Sequence, residues 1–140
     1  MKNLLLIAFA TLPGGPSPEA IYAVDISAVR NAKGVIHACL TASSGHFPNC
    51  RDDQGALKLT VPASSRHIRF VGFAPGNYAL TLFHDQNGNG RLDTTLGIPR
   101  EGFGFSRNPV VRFGAPRFSQ VNIELPPGYT RDRVWMQYIL

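Results

Sequence analysis

No stretch of this chain repeats its apolar residues at helical spacing with caps at its ends, whereas short apolar/polar alternations recur between clusters of glycine, proline and asparagine. Such a pattern can bury a core only by laying one face of each strand against another layer, so an all-β fold is expected. Over residues 24–29, Val24, Ile26 and Ala28 alternate with Asp25, Ser27 and Val29. The turn Asn31-Ala32-Lys33-Gly34 then leads into a run over 35–41, and the two runs are predicted to pair as a first hairpin. Runs over 56–61 and 67–73 follow, the second with Ile68 and Phe70 on one face. After Ala74-Pro75-Gly76-Asn77, the residues Tyr78, Leu80 and Leu82 interleave with Ala79, Thr81 and Phe83, so this strand is apolar on both faces and is expected at the centre of the fold. The last runs, 118–125 and 133–140, flank Pro126-Pro127-Gly128. The sum is a single antiparallel β-sandwich of about seven strands with one long loop of metal-binding type.

The chain begins Met1-Lys2-Asn3, a positive charge ahead of an apolar run ending at Leu12, followed by Pro13-Gly14-Gly15-Pro16. That order predicts a secretory signal over residues 1–23, cut after Ala23 or Ala20, and one domain over 24–140. The apolar run is about nine residues, far short of the roughly 20 that span a bilayer, so no transmembrane segment is expected. The cysteines, Cys39 and Cys50, are expected to form a disulfide in an oxidising compartment, where closing so short a loop stabilises the fold by roughly 3 kcal/mol. His37 and His46 lie nearby, but the paired short spacings of a zinc site are missing. With 140 residues and only 16% of them charged, the chain has neither the length of a multidomain enzyme nor the composition of a coiled coil or charged tail.

A long interval, from residue 85 to about 117, interrupts the strand rhythm with Gly, Asn, Asp and Pro. It opens Asp85-Gln86-Asn87-Gly88-Asn89-Gly90-Arg91-Leu92-Asp93, which places Asp85, Asn87, Asn89 and Asp93 at positions 1, 3, 5 and 9 of an EF-hand calcium loop, with Gly90 at position 6. A hard cation takes six to eight oxygens, and alternate residues of a tight turn point inward together. Arg91 would supply its carbonyl oxygen, while Leu92 turns inward behind the loop. Position 12, where an EF-hand carries a bidentate Glu, is Leu96, and no flanking helices are predicted. Glu101 would close the shell where the chain turns back. Ca2+ is the expected cofactor, acting as a structural clamp; the competing reading is a metal-free turn whose Asp and Asn side chains bond their own backbone.

The segments Phe73-Ala74-Pro75-Gly76-Asn77-Tyr78-Ala79-Leu80, His84 through Asp93, and Leu96-Gly97-Ile98-Pro99-Arg100-Glu101-Gly102-Phe103-Gly104-Phe105-Ser106 resemble the bacterial exported family called domain of unknown function 2141. The resemblance covers almost all of the chain after the signal segment. It implies export and a β-sandwich, and it brings no substrate with it. The Pro75-Gly76-Asn77-Tyr78 turn is also similar to the one before a central strand in transthyretin-like and carboxypeptidase-regulatory-like sandwiches, a likeness of fold from which no function transfers.

No catalytic constellation is found. His84 adjoins Asp85 at a strand end, a setting typical of a hydrogen-bonded corner residue, and neither G-x-S-x-G nor a phosphate-binding loop occurs. Phe103 and Phe105 offer either an exposed ligand surface or a cover over the calcium loop. The net charge of +5 comes from scattered arginines without a nucleic-acid motif, so no nucleic-acid partner is expected. Anionic envelope polymers, glycans or a protein partner remain compatible with it. The expected function is therefore an exported, non-enzymatic β-sandwich module, calcium-stabilised in the 85–101 loop, with a structural or binding role in the periplasm or outside the cell. The alternative is a carbohydrate- or peptide-binding accessory domain that uses residues 85–106 for recognition.

Overall fold

A computed structural model describes Ala10, Leu12, Gly14, Gly15 and residues 17–140. Its order is β1 (Ala20–Ser27), β2 (Val35–Thr41), a 3-10 turn (Ser44–His46), β3 (Leu57–Pro62), β4 (His67–Phe73), β5 (Gly76–Asp85), β6 (Thr94–Thr95), β7 (Ile98–Pro99), β8 (Gly102–Phe105), α1 (Phe118–Val121), β9 (Ile123–Leu125) and β10 (Gly128–Trp135). The fold is all-β and its sheets do not close into a barrel. One sheet runs β10-β1-β4 and another β3-β2-β5-β8, with β9 pairing the first residues of β5 and β6 pairing β7 by itself.

The alternation seen in the sequence decides which faces meet. Ala20, Tyr22, Val24 and Ile26 of β1, Ile68 and Phe70 of β4, and Val134 of β10 point inward from the first sheet; Ile36, Ala38 and Leu40 of β2 and Leu80 and Leu82 of β5 join them from the second in one core. In β4 the pairing with β1 shifts register between Tyr22↔Phe70 and Ala20↔Phe73. Gly72, at φ 69°, occupies that shift and returns Phe73 to the core face. On the other face of β5, Ala79 packs into a second apolar cluster with Phe103, Phe105 and Val121, against which Phe47 and Phe118 lie. The expectation that β5 is central and covered on both faces holds.

Several expectations are corrected. The sheets are not purely antiparallel, because β1 and β10 run parallel. The first two strands do not form a hairpin: β1 pairs β10 and β4, while β2 pairs β3 and β5. Both have an inward apolar face, and a period of two cannot distinguish strands lying side by side from strands facing each other across a core. The run 118–125 splits into α1 and β9, and the last long strand begins at Gly128 and ends at Trp135, earlier than the run 133–140 suggested. Of the predicted signal segment, residues 1–9, 11, 13 and 16 lie outside the described residues. The first strand begins before residue 24: β1 pairs with β10 from Ala20 onward, and both Ala20 and Tyr22 are buried. Among the described residues, no helix is long and apolar enough to cross a membrane.

Candidate functional site

The loop that opens at Asp85 is anchored by the longest strand of the fold, at whose end Asp85 is fully buried. Its carboxylate accepts the Asn89 N–H on Oδ1 at 3.1 Å and the Gly90 N–H on Oδ2 at 2.7 Å. From β2, His37 reaches across and donates its Nε2 hydrogen to Oδ2 at 3.0 Å, while its Nδ1 meets the Thr60 hydroxyl of β3 at 2.9 Å. Burial pushes the Asp85 carboxyl upward, but the bonds from His37, Gly90 and Asn89 outweigh it and hold the group below the ordinary aspartate value. His37 was not foreseen. Its position follows from the β2–β5 register, in which Val35 stands opposite Asp85, and no pattern within the sequence gives that pairing.

The remaining oxygens repeat the same motif. Asn87 Oδ1 accepts the Asn89 N–H, Asn89 Oδ1 accepts the Arg91 N–H, and the two asparagine amides donate to Asp93 at 2.6 and 2.8 Å. Arg91 contributes its N–H to this network. Leu92 is half-buried, in keeping with its expected inward turn. The chain does return as expected at Glu101, which is buried and accepts the Gln86 N–H on one oxygen at 2.9 Å and the Asp93 N–H on the other at 3.1 Å. Asp85, Asn87, Asn89, Asp93 and Glu101 thus belong to one network, closed by side-chain-to-backbone bonds.

Among the described residues, no three His, Cys, Asp or Glu side chains stand in a metal-holding arrangement. The donor chemistry nonetheless suits a hard cation. Asp85 Oδ1, Asn87 Oδ1, Asn89 Oδ1 and both oxygens of Asp93 each accept a single hydrogen bond here and keep a lone pair. The amides of Asn87 and Asn89 on Asp93 would have to yield for these oxygens to converge.

A second network backs the loop. His84, fully buried, donates Nε2–H to the Lys33 carbonyl at 2.6 Å and pairs Nδ1 with the Tyr138 hydroxyl at 2.8 Å. That hydroxyl accepts the Arg30 N–H, and the Arg30 guanidinium lies 4.2 Å from the centre of the Tyr138 ring. His84 is thus the corner residue its sequence position suggested. Beside the loop runs an open groove of about 670 Å³, where Arg30, Lys33 and Arg100 face Asp93 and Glu101. Phe103 and Phe105 do not form the exposed ligand surface considered for them: β8 places both in the second apolar cluster, 4% and 5% exposed. Cys39 and Cys50 form the expected disulfide, with Cα atoms 6.6 Å apart.

An all-β domain with open sheets and a surface Asx loop anchored on the buried carboxylates of Asp85 and Glu101 is the class that fold and site define. Residues 24–132 match the family DUF2141, described as an uncharacterized protein conserved in bacteria, and the chain belongs to that family. Searches of curated proteins and of solved structures found no match.

Proposed function

We propose that this chain is an exported, non-enzymatic β-sandwich module of the bacterial cell envelope whose 85–101 loop is clamped by calcium. The observation that carries this reading is the Asp85 network: a buried carboxylate, two asparagine oxygens at alternate positions and a returning Glu101 surround one tight turn. Calcium there would take oxygens from Asp85, Asn87, Asn89 and Asp93, the Arg91 carbonyl and Glu101, and would offset the mutual repulsion of three carboxylates. Export is supported by the signal-like opening and by the disulfide, a bond favoured in oxidising compartments. Thermal unfolding of the domain in excess chelator, then across a calcium titration, tests the clamp. Calcium should raise the midpoint in the wild type and leave Asp85→Ala unmoved; equal midpoints with and without calcium would refute it.

The groove lined by Arg30, Lys33 and Arg100 favours a second reading, in which residues 85–106 recognise a carbohydrate or peptide. Under that reading an oligosaccharide or peptide, and not calcium alone, raises the unfolding midpoint.

A further inference from the structure

The outer face of the β10-β1-β4 sheet carries an arrangement that neither the core nor the calcium loop requires. Strand alternation sends Tyr129, Arg131, Arg133 and Trp135 of β10 outward, together with His67 and Arg69 of β4, while β1 contributes Ala23 and Asp25 between them. Ala23 stands opposite Arg131 on one side and Arg69 on the other. Its methyl group is too short to fill the space between the two long side chains, and a depression of about 280 Å³ opens there, with Tyr129 and His67 also on its rim. Tyr129 and Trp135 are 59% and 44% exposed.

The charges on this face are organised. Asp25 is held by Arg131, whose Nε and Nη2 both lie 2.9 Å from Oδ2, and by His67 Nδ1 on Oδ1 at 2.5 Å. That arrangement fixes the Arg131 fork and leaves His67 Nε2 facing outward. Among the described residues, Arg69 and Arg133 pair with no carboxylate. The Arg69 guanidinium sits 5.8 Å from the centre of the Tyr129 ring. The face therefore presents unneutralised guanidinium groups, ring surfaces at both ends of one strand and the Asp25 carboxylate as an acceptor.

We propose that this face binds an acidic polysaccharide, with the carboxylate of one sugar seated over Ala23 between Arg69 and Arg131. Arg69, which pairs with no carboxylate among the described residues, can offer its guanidinium fork to the sugar carboxylate by paired hydrogen bonds, while Arg131, whose Nε–Nη2 edge is taken by Asp25, offers its remaining Nη hydrogens. Asp25 and His67 Nε2 suit the hydroxyl groups that a sugar polymer carries and that a phosphodiester chain of DNA lacks. Tyr129 and Trp135 stand six positions apart along the strand, roughly 20 Å, which is the reach of an oligosaccharide lying along the strand and stacking on both rings. The cations and rings lie on a strand surface and not on protruding apolar tips, a geometry that favours a linear polymer over a lipid bilayer.

The test is binding of the full domain to oligomers of polygalacturonate, alginate and hyaluronate, beside neutral dextran, anionic phosphatidylglycerol vesicles and a single-stranded oligonucleotide, all in chelator. Working in chelator separates this proposal from the calcium reading. At least one acidic glycan should bind and weaken with salt, with affinity falling about tenfold in Arg69→Gln and in Tyr129→Ala, while Arg51→Gln, which removes a distant charge, leaves it unchanged. Unfolding midpoints near wild type in these variants exclude loss of fold. Failure of all three acidic glycans to bind, equal binding to dextran, or tighter binding to vesicles or oligonucleotide would each overturn the proposal, as would equal losses in Arg69→Gln and Arg51→Gln.

Discussion

At Gly34 the backbone runs at φ 69°, and a Cβ there would collide with the Asp85 carbonyl and lie 2.8 Å from Gln86 Cα. The β1–β2 connection can therefore press against the start of the loop only because this residue has no side chain. Gly34→Ala should destabilise the domain by at least about 1 kcal/mol, from the φ penalty alone, and should loosen the loop first. Chemical denaturation followed together with proteolysis at the loop would show this; a variant as stable as wild type would contradict it. Three carboxyls are also held below the ordinary aspartate range: Asp25 by hydrogen bonds from Arg131 and His67, Asp53 by the Thr41 hydroxyl, and Asp85 by donors that outweigh its burial. A depressed folded-state value means that the ionised group stabilises the fold above the unfolded value of about 3.9, and that this stability is lost as pH falls through the folded values. Their contribution to the unfolding midpoint, followed from pH 7 to pH 2, should hold level to about pH 4 and then decline. A midpoint unchanged down to pH 2 would be inconsistent with these assignments.

At the scale of elements, β1 is the strand on which the first sheet depends, since it pairs with both β10 and β4. Tyr22 is fully buried within it and donates its hydroxyl to Asp132 at 3.0 Å. A chain beginning at residue 24 loses that side chain, worth about 3–5 kcal/mol by comparison with aromatic-to-alanine changes, together with half the pairing of β1. It should fail to fold cooperatively, whereas a chain beginning at residue 17 should unfold like the full domain; circular dichroism melts of the two would decide. The sequence revealed β2 and β4 at their observed limits, because alternation and flanking turn residues agree there. It misplaced the start of β1, where alternation continues back through Tyr22 and Ala20 but Ala20 and Ala23 also look like the small residues of a cleavage site. In the site, the Asp85-Asn87-Asn89-Asp93 spacing was legible because Asx bonding is local. Glu101 followed only as a carboxylate at the right distance along the chain, and the contact with His37 depends on a cross-strand register that no single segment encodes. For Phe103 and Phe105 the sequence favours a covering role over an exposed ligand surface, and the pairing of β8 with β5 places both under cover.

At the scale of the whole molecule, the chain passes repeatedly between its two main sheets, and its first and last long strands end side by side. Two devices tie the periphery to this frame. The disulfide holds residue 50, near the middle of the β2–β3 connection, to β2, and the tail after β10 returns through Gln137 and Tyr138 to Phe103 and His84. Reduction should lower stability by roughly 3 kcal/mol while leaving the core sheets paired, which urea unfolding with and without reductant would measure. Loss of all cooperative structure on reduction would contradict the view that the two-sheet core carries the fold.

The proposed calcium clamp is tested most directly by hydrogen exchange of the Gln86, Asn89, Gly90 and Asp93 amides, the four that donate to Asp85 and Glu101. With calcium bound, these amides should exchange more slowly than in chelator, while those of β1 and β4 stay unchanged. Identical exchange at all four positions in chelator and in saturating calcium would mean that the loop is held by its own hydrogen bonds alone.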